Sequence, residues 1–209
     1  MRLCGAQVPG DAFVSSGTAA GEESTMDNST ETAVRSETIE LVRRSGISVS
    51  DEEFERMTVV DFGLGDLRSE GVQLIDIVRT DLLRVTVLVL LPHQTLPQHC
   101  HPSYDGLPGK EENIRAVWGT LRVYTPGTPT MRHGRLIQGN EQYYTARHET
   151  LLAPQQSMVV DVGVGHWFQA GPEGSVSFGF YNRVDESRNV FTDPNVTTAC
   201  GVELVRCEQ

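Results

Sequence analysis

Three histidines and one glutamate dominate the chemistry this chain can offer. His99 and His101 are separated by one residue, Glu112 follows His101 by eleven positions, and His166 lies far downstream in GVGHWFQAG. Three imidazoles and a carboxylate are a donor set suited to a borderline divalent ion. On a strand, residues i and i+2 face the same way. Both histidines therefore look into one space, and Cys100 between them points to the opposite face, where it reads as a core filler. The polar loop PSYDGLPGK lets the chain turn and return antiparallel, so that Glu112 starts the neighbouring strand with its carboxylate in the same cavity. Gly119 supplies a tight turn where a side chain would clash. Lys110 precedes Glu112 by two residues and shares its face. An ammonium beside the ion suggests a catalytic centre more than a structural one, because a nearby cation and partial desolvation lower a lysine's pKa and make it a usable proton donor or acceptor. Its spacing is equally that of a solvated loop lysine paired with Glu111 or Asp105.

Strands must hold these groups, and the sequence is rich in them. Val59–Phe62 and Val72–Val78 read as strands, and Leu82–Leu91, LLRVTVLVLL, reads as a core strand ended by Pro92. Gln98–His101 is another. Asn113–Val117 and Thr120–Tyr124 flank Trp118-Gly119 as a hairpin, and Arg147–Leu152, Ser157–Asp161, His166–Ala170 and Ser175–Asn182 follow. The breaks PGTP, APQQ, VGVG and AGPEG separate them. Ahead of the strands, a helix opens at Ser29 or Thr30, runs through Arg44 and stops at Gly46. Ser50 and Glu53 form a capping box for a short helix over DEEFERM. This order predicts an all-β, double-sheet jelly-roll barrel with N-terminal helices, a single domain over residues 29–209. Residues 1–28 read as a disordered extension. The tail after Asp193 reads as a loop-rich strap across the barrel.

Bulk properties exclude several functions. The 209-residue chain carries a net charge of −11, so it lacks the basic character that nucleic-acid and anionic-membrane binders need. Cys4, Cys100, Cys200 and Cys207 form no Cys-x-x-Cys pair, which speaks against a disulfide scaffold or a zinc knuckle. No run of 18 or more apolar residues and no apolar N-terminal segment is present, and a cytoplasmic protein is expected.

The spacing His-x-His, Glu, six residues, Gly, with a distant Gly-x-x-His-like element, is similar to the two-part metal motif of the cupins. HCHPSYDGLPGKEENIRAVWG, with HWFQAG downstream and NRVDESRNVFTDPN near the end, resembles the D-lyxose ketol-isomerase family of cupins over about residues 30 to 195. The resemblance implies an aldose–ketose isomerase that uses Mn²⁺, with Co²⁺ as a substitute. It would interconvert D-lyxose and D-xylulose, with D-mannose and D-fructose as further substrates. It implies His99, His101, Glu112 and His166 as metal ligands, Lys110 as the substrate-facing lysine, and a homodimer. VDESRNVFTDP resembles the family's acidic strap less closely; Asp185 and Glu186 read first as a solvated face, with a second catalytic carboxylate at the cavity mouth as the alternative. Tyr104, Trp118 and Phe168 are candidates to wall a sugar site, while Trp167 alternates with His166 and belongs to the core. Two other classes use the same residues: an Fe²⁺-dependent dioxygenase, and a sugar- or metal-binding module without activity.

Overall fold

Two long strands run through both layers of the molecule, and glycines let them bend. The computed structural model describes residues 28–182, 185–199 and 202–203. The helices α1 (Asn28–Ser45) and α2 (Asp51–Glu55) come first. Strands follow: β1 (Thr58–Val60), β2 (Val72–Arg79), β3 (Leu83–Leu90), β4 (Thr95–Cys100), β5 (Glu112–Thr125), β6 (His148–Leu152), β7 (Ser157–Val160), β8 (His166–Asn182), β9 (Val190–Phe191), β10 (Thr198–Ala199) and β11 (Val202–Glu203). The pairing of β5 with β8 extends from Glu112–Tyr181 to Tyr124–Trp167. The C-terminal half of β8 carries β3, then β2 and β1, while its N-terminal half carries β4 and β9. On β5, β7 pairs with the N-terminal part and β6 with the C-terminal part. Two antiparallel sheets joined through β5 and β8 make the expected jelly-roll barrel.

The corner between the sheets corrects two expectations. Trp118-Gly119 is no hairpin turn, and AGPEG does not separate two strands. Instead, Gly119 pairs with Ser175 and Leu121 with Ala170, so residues 171–174 of β8 bulge against Thr120 alone. Gly119 (φ +69°) and Gly174 (φ +89°) take the left-handed conformation, and a Cβ on Gly119 would stand 2.2 Å from the Gly174 carbonyl oxygen. Such a bulge bends a strand without ending it, because both halves keep the same partner. β4 also starts earlier than expected, at Thr95. Its Pro97, which has no N–H, falls where the register with β8 shifts between Leu96 and His99. β4 and β5 are not neighbours, as the sequence reading had them; both lie on β8.

Alternation sorts the core. Val72, Leu74, Leu88 and Leu90 fill the barrel with Ile114, Leu121 and Phe168, while Ile75, Val87, Val89 and Val176 pack outward against Val34, Leu41 and Val42 of α1. β3 is thus covered on both faces, which accounts for its unbroken apolar run. α1 begins at Asn28 and ends at Gly46 (φ +78°), and the Ser50–Glu53 capping box is formed. The extension expected over residues 1–28 lies outside the described residues except for Asn28, as do Cys4, Cys200 and Cys207. Cys100 is half-buried at the end of β4 and belongs to none of the apolar clusters that form the core, so it does not fill the core as expected. After β9, Val196 is buried in the barrel cluster and the Thr197 N–H donates to the Phe62 carbonyl, so this segment crosses the barrel.

Candidate active site

The barrel brings together four groups from distant places in the chain. His99 sits on β4, His101 just beyond its end, His166 at the start of β8 and Glu112 at the start of β5. Glu112 pairs in backbone with Tyr181, at the far end of β8 from His166, yet reaches it across the lumen. All four side chains are buried, and one ligand atom from each lies within 4.8 Å of the others. Glu112 Oε2 is 3.4 Å from His101 Nε2 and 3.5 Å from His166 Nε2. None of these three buried atoms has a hydrogen-bond partner. Buried polar atoms rarely stay unpaired.

The other ring nitrogens explain the orientation. His99 Nδ1 lies 2.8 Å from the Pro97 carbonyl oxygen, His166 Nδ1 2.9 Å from that of Val164, and His101 Nδ1 2.7 Å from Asn189 Oδ1. These oxygens only accept, so each Nδ1 carries the hydrogen and each Nε2 keeps its lone pair. Burial, reinforced by the neighbouring imidazoles His166 and His101, holds His99 well below its usual pKa. Burial and then the Lys110 ammonium lower His101 to about 4. Burial alone would raise the Glu112 carboxyl, but the Lys110 ammonium, with the His101 and His166 rings beside it, holds it well below the usual carboxylate range. Two neutral imidazoles and an ionised carboxylate, with His166 aimed alongside, could hold a divalent ion. Ligands about 2–2.4 Å from such an ion stand no more than about 4–5 Å apart, and these atoms all lie within 4.8 Å of one another.

Lys110 is buried beside this cluster, not solvated as a loop lysine would be, and it pairs with Glu186. Its Nζ stands 3.4 Å from Glu186 Oε2 and 4.6 Å from the centre of the Tyr181 ring. Glu186 overturns the reading of a solvated face. Its side chain is 10% exposed, and Arg84 reaches its Oε1 at 3.1 Å while Arg84 Nε holds Asp76 Oδ1 at 2.6 Å. Burial would raise the Glu186 carboxyl, but Lys110, Asn189, His101 and Arg84 together lower it. Asp185 is exposed and caps the 3-10 turn Glu186–Arg188 through Ser187. Nothing in the residue types of VDESRNV marks Glu186 as buried. The signal is Arg84, a charged residue inside an apolar core strand, which needs a carboxylate partner.

The walls differ from expectation. A small cavity of about 30 Å³ is lined by Phe62, Val72, Leu74, Leu88 and Leu96 on its apolar side and by His99, Lys110, Glu112, Tyr181 and Asn189 on its polar side, with Phe191 and Ala199 from the C-terminal segment. The Phe191 ring stacks on His99 at 5.1 Å. Of the aromatic residues expected to wall the site, Phe168 borders His166. Tyr104 instead accepts the Asp185 N–H through its hydroxyl, and Trp118 packs toward α1. Trp167 is fully buried and stacks on Tyr124, as expected.

Comparison with known proteins adds a second line. The chain is 39% identical over 163 residues to the D-lyxose ketol-isomerase of Cohnella laeviribosi, covering 78% of this chain and 90% of that protein. It is 40% identical over 164 residues to the D-lyxose/D-mannose isomerase of Thermosediminibacter oceani, covering 78% and 91%. No family model matches. Among solved structures, the L-ribose isomerase of Cellulomonas parahominis superposes with a TM-score of 0.70 at 13% identity, covering 87% of this chain and 99% of that one. The L-ribose isomerase of Acinetobacter sp. DL28 in complex with L-ribose gives 0.68 at 13% identity, covering 88% and 99%. At such identities these two structures speak for the fold.

Proposed function

The chain belongs to the D-lyxose ketol-isomerase family and is an aldose–ketose isomerase, and on that premise we propose that it interconverts D-lyxose and D-xylulose, and also D-mannose and D-fructose. One observation carries the assignment to this site: His99 and Glu112 of the imidazole–carboxylate cluster line one cavity with Lys110, which is paired to Glu186. His99, His101, Glu112 and His166 are the residues that would hold a divalent ion, Mn²⁺ or in its place Co²⁺. When bound, such an ion supplies electrostatic stabilisation of the negative charge that develops on the sugar's O1 and O2.

The chain's own groups handle the protons. Aldose–ketose conversion removes a hydrogen from C2, delivers one to C1 and shifts the carbonyl. Glu186, ionised and buried, takes the C2 proton. The Lys110 ammonium gives a proton to O1, so that a cis-enediol forms. Lys110 then recovers a proton from the O2 hydroxyl as Glu186 returns its own to C1, and the balance closes. Arg84 fixes Glu186 from the far side. The aromatic face of Phe191 and the crossing segment around Ala199 keep bulk water from the enediol.

A homodimer is part of the same reading. Leu83, Phe180 and Val159, exposed on β3, β8 and β7, offer it an apolar face. The cytoplasm is the proposed location, and no described helix is long and apolar enough to cross a membrane.

The test is an aldose panel assayed on chelator-stripped protein with and without added Mn²⁺. D-lyxose and D-mannose should turn over only with metal. Metal-independent turnover, or oxygen consumption with Fe²⁺ in place of isomerisation, contradicts the reading.

A further inference from the structure

The three imidazoles are oriented in two different ways. His99 and His166 direct Nδ1 to the carbonyls of Pro97 and Val164, each two residues back in the chain. His101 instead reaches Asn189 Oδ1, 88 residues away in sequence. The same amide's nitrogen lies 2.9 Å from Glu186 Oε2, the oxygen that also faces Lys110. Chemistry fixes which end points where. A carboxylate only accepts, so it takes the NH₂ group, and the remaining oxygen accepts the His101 Nδ1–H. Asn189 is buried, and it stands next to β9, which pairs Val190 with Cys100 and Phe191 with His99.

We propose that Asn189 is a positioning residue that joins the two halves of the centre. Its oxygen end holds His101 in the tautomer that leaves Nε2 free for a metal, and its nitrogen end aims Glu186 at Lys110. The second half rests on the reading of Lys110 and Glu186 as the proton-transfer pair. A primary amide of this length offers one acceptor and one donor in fixed relation. A carboxylate of the same shape keeps the acceptor, loses the donor and sets a like charge against Glu186. Alanine loses both. Metal affinity and turnover are therefore separable at this one position.

The experiment compares Asn189→Asp and Asn189→Ala with wild type in two measurements. The first is Mn²⁺ affinity, from the electron paramagnetic resonance signal of free Mn²⁺ during titration. The second is kcat on D-lyxose at saturating Mn²⁺, and thermal melts establish that each variant is folded. Asn189→Ala should bind Mn²⁺ about 10–100-fold more weakly, the usual effect of losing a histidine's outer partner. Asn189→Asp should bind it as tightly as wild type or tighter, because a charged acceptor makes a stronger hydrogen bond. Its kcat should nonetheless fall about tenfold or more. Wild-type affinity in a folded Asn189→Ala, equal losses of affinity in both variants, or wild-type kcat in Asn189→Asp would overturn the proposal. If Asn189→Ala does not fold, retained affinity with lost kcat in Asn189→Asp supports it, and loss of both overturns it. A wild-type protein that converts no aldose contradicts the proposed function instead. The affinity comparison needs no substrate and decides the orienting role by itself.

Discussion

Two buried glutamates, Glu112 and Glu70, are equally hidden from water and differently treated. Glu112 faces His101, His166 and Lys110, and its carboxyl is held well below the usual range against the effect of burial. Glu70 accepts hydrogen bonds from the Tyr144 hydroxyl and from Asn140 Nδ2 at 2.7 Å. For Glu70, burial dominates: the neutral donors lower its pKa, the nearby carboxylates Asp193 and Asp66 raise it further, and the result is a raised pKa. Burial alone therefore does not mark a reactive carboxylate. What marks it is a cation beside it together with lone pairs that no protein donor satisfies.

The largest effect should come from exchanging the two glutamates' fates. Glu112→Ala should abolish metal binding and lower kcat by on the order of 10³-fold or more, the scale of lost Lewis-acid stabilisation. Glu70→Ala should keep the metal and most of the turnover while losing about 1–3 kcal/mol of stability, because Tyr144 and Asn140 are left unpaired. Metal analysis and urea unfolding of both variants check this. Comparable metal loss in Glu70→Ala would erase the contrast.

Next comes Lys110→Ala, expected to leave metal content unchanged and reduce kcat about 10²–10⁴-fold, the range of general acid–base roles. Lys110→Arg should not restore it, since guanidinium stays protonated and has a different shape. Retention of more than about a third of wild-type kcat in the alanine variant would make Lys110 a bystander.

Stripping the metal should lower the melting temperature by about 5–10 °C. That estimate takes an ion at about 100 times its Kd, worth about 2.7 kcal/mol, and about 2–4 °C per kcal/mol for a chain of this size. Zn²⁺ should restore turnover poorly, because it favours four-coordination and leaves little room for sugar oxygens. An unshifted melting curve would place the ion outside the folded core.

The smallest effect is a pair of opposite pH slopes in metal-free protein. The folded pKa of Glu112 is lowered, so its contribution to stability is present above the unfolded value near 4.5 and is lost as pH falls below it. The folded pKa of Glu70 is raised, so its contribution is full below about 4.5 and is lost as pH rises through the folded value. Urea melts at about pH 4 and pH 7 should show wild type losing ground to Glu70→Gln as pH rises, and gaining on Glu112→Gln. Slopes of the same sign would sink the distinction.

Much of this was legible in the sequence, for identifiable reasons. His-x-His on a strand needs only period-2 geometry, and the β-branched run of β3 announces a core strand. The β5–β8 corner was not legible, because a glycine bulge and a glycine turn look alike until the partner strand is known. Glu186 was missed as a buried group because its cation partners, Lys110 and Arg84, stand 76 and 102 residues away. The orienting contact of Asn189 has the same cause, since its partner His101 is 88 positions back. Short-range spacing displays the ligands, while the groups that aim them arrive through tertiary contacts.

The central claim is that one divalent ion sits among His99, His101, Glu112 and His166, beside Lys110. An anomalous difference map at the manganese edge, from crystals grown with Mn²⁺, tests it most directly. The account predicts one strong peak within about 2.0–2.4 Å of the three Nε2 atoms and of a Glu112 oxygen. A peak elsewhere, or none at this cluster, would contradict it.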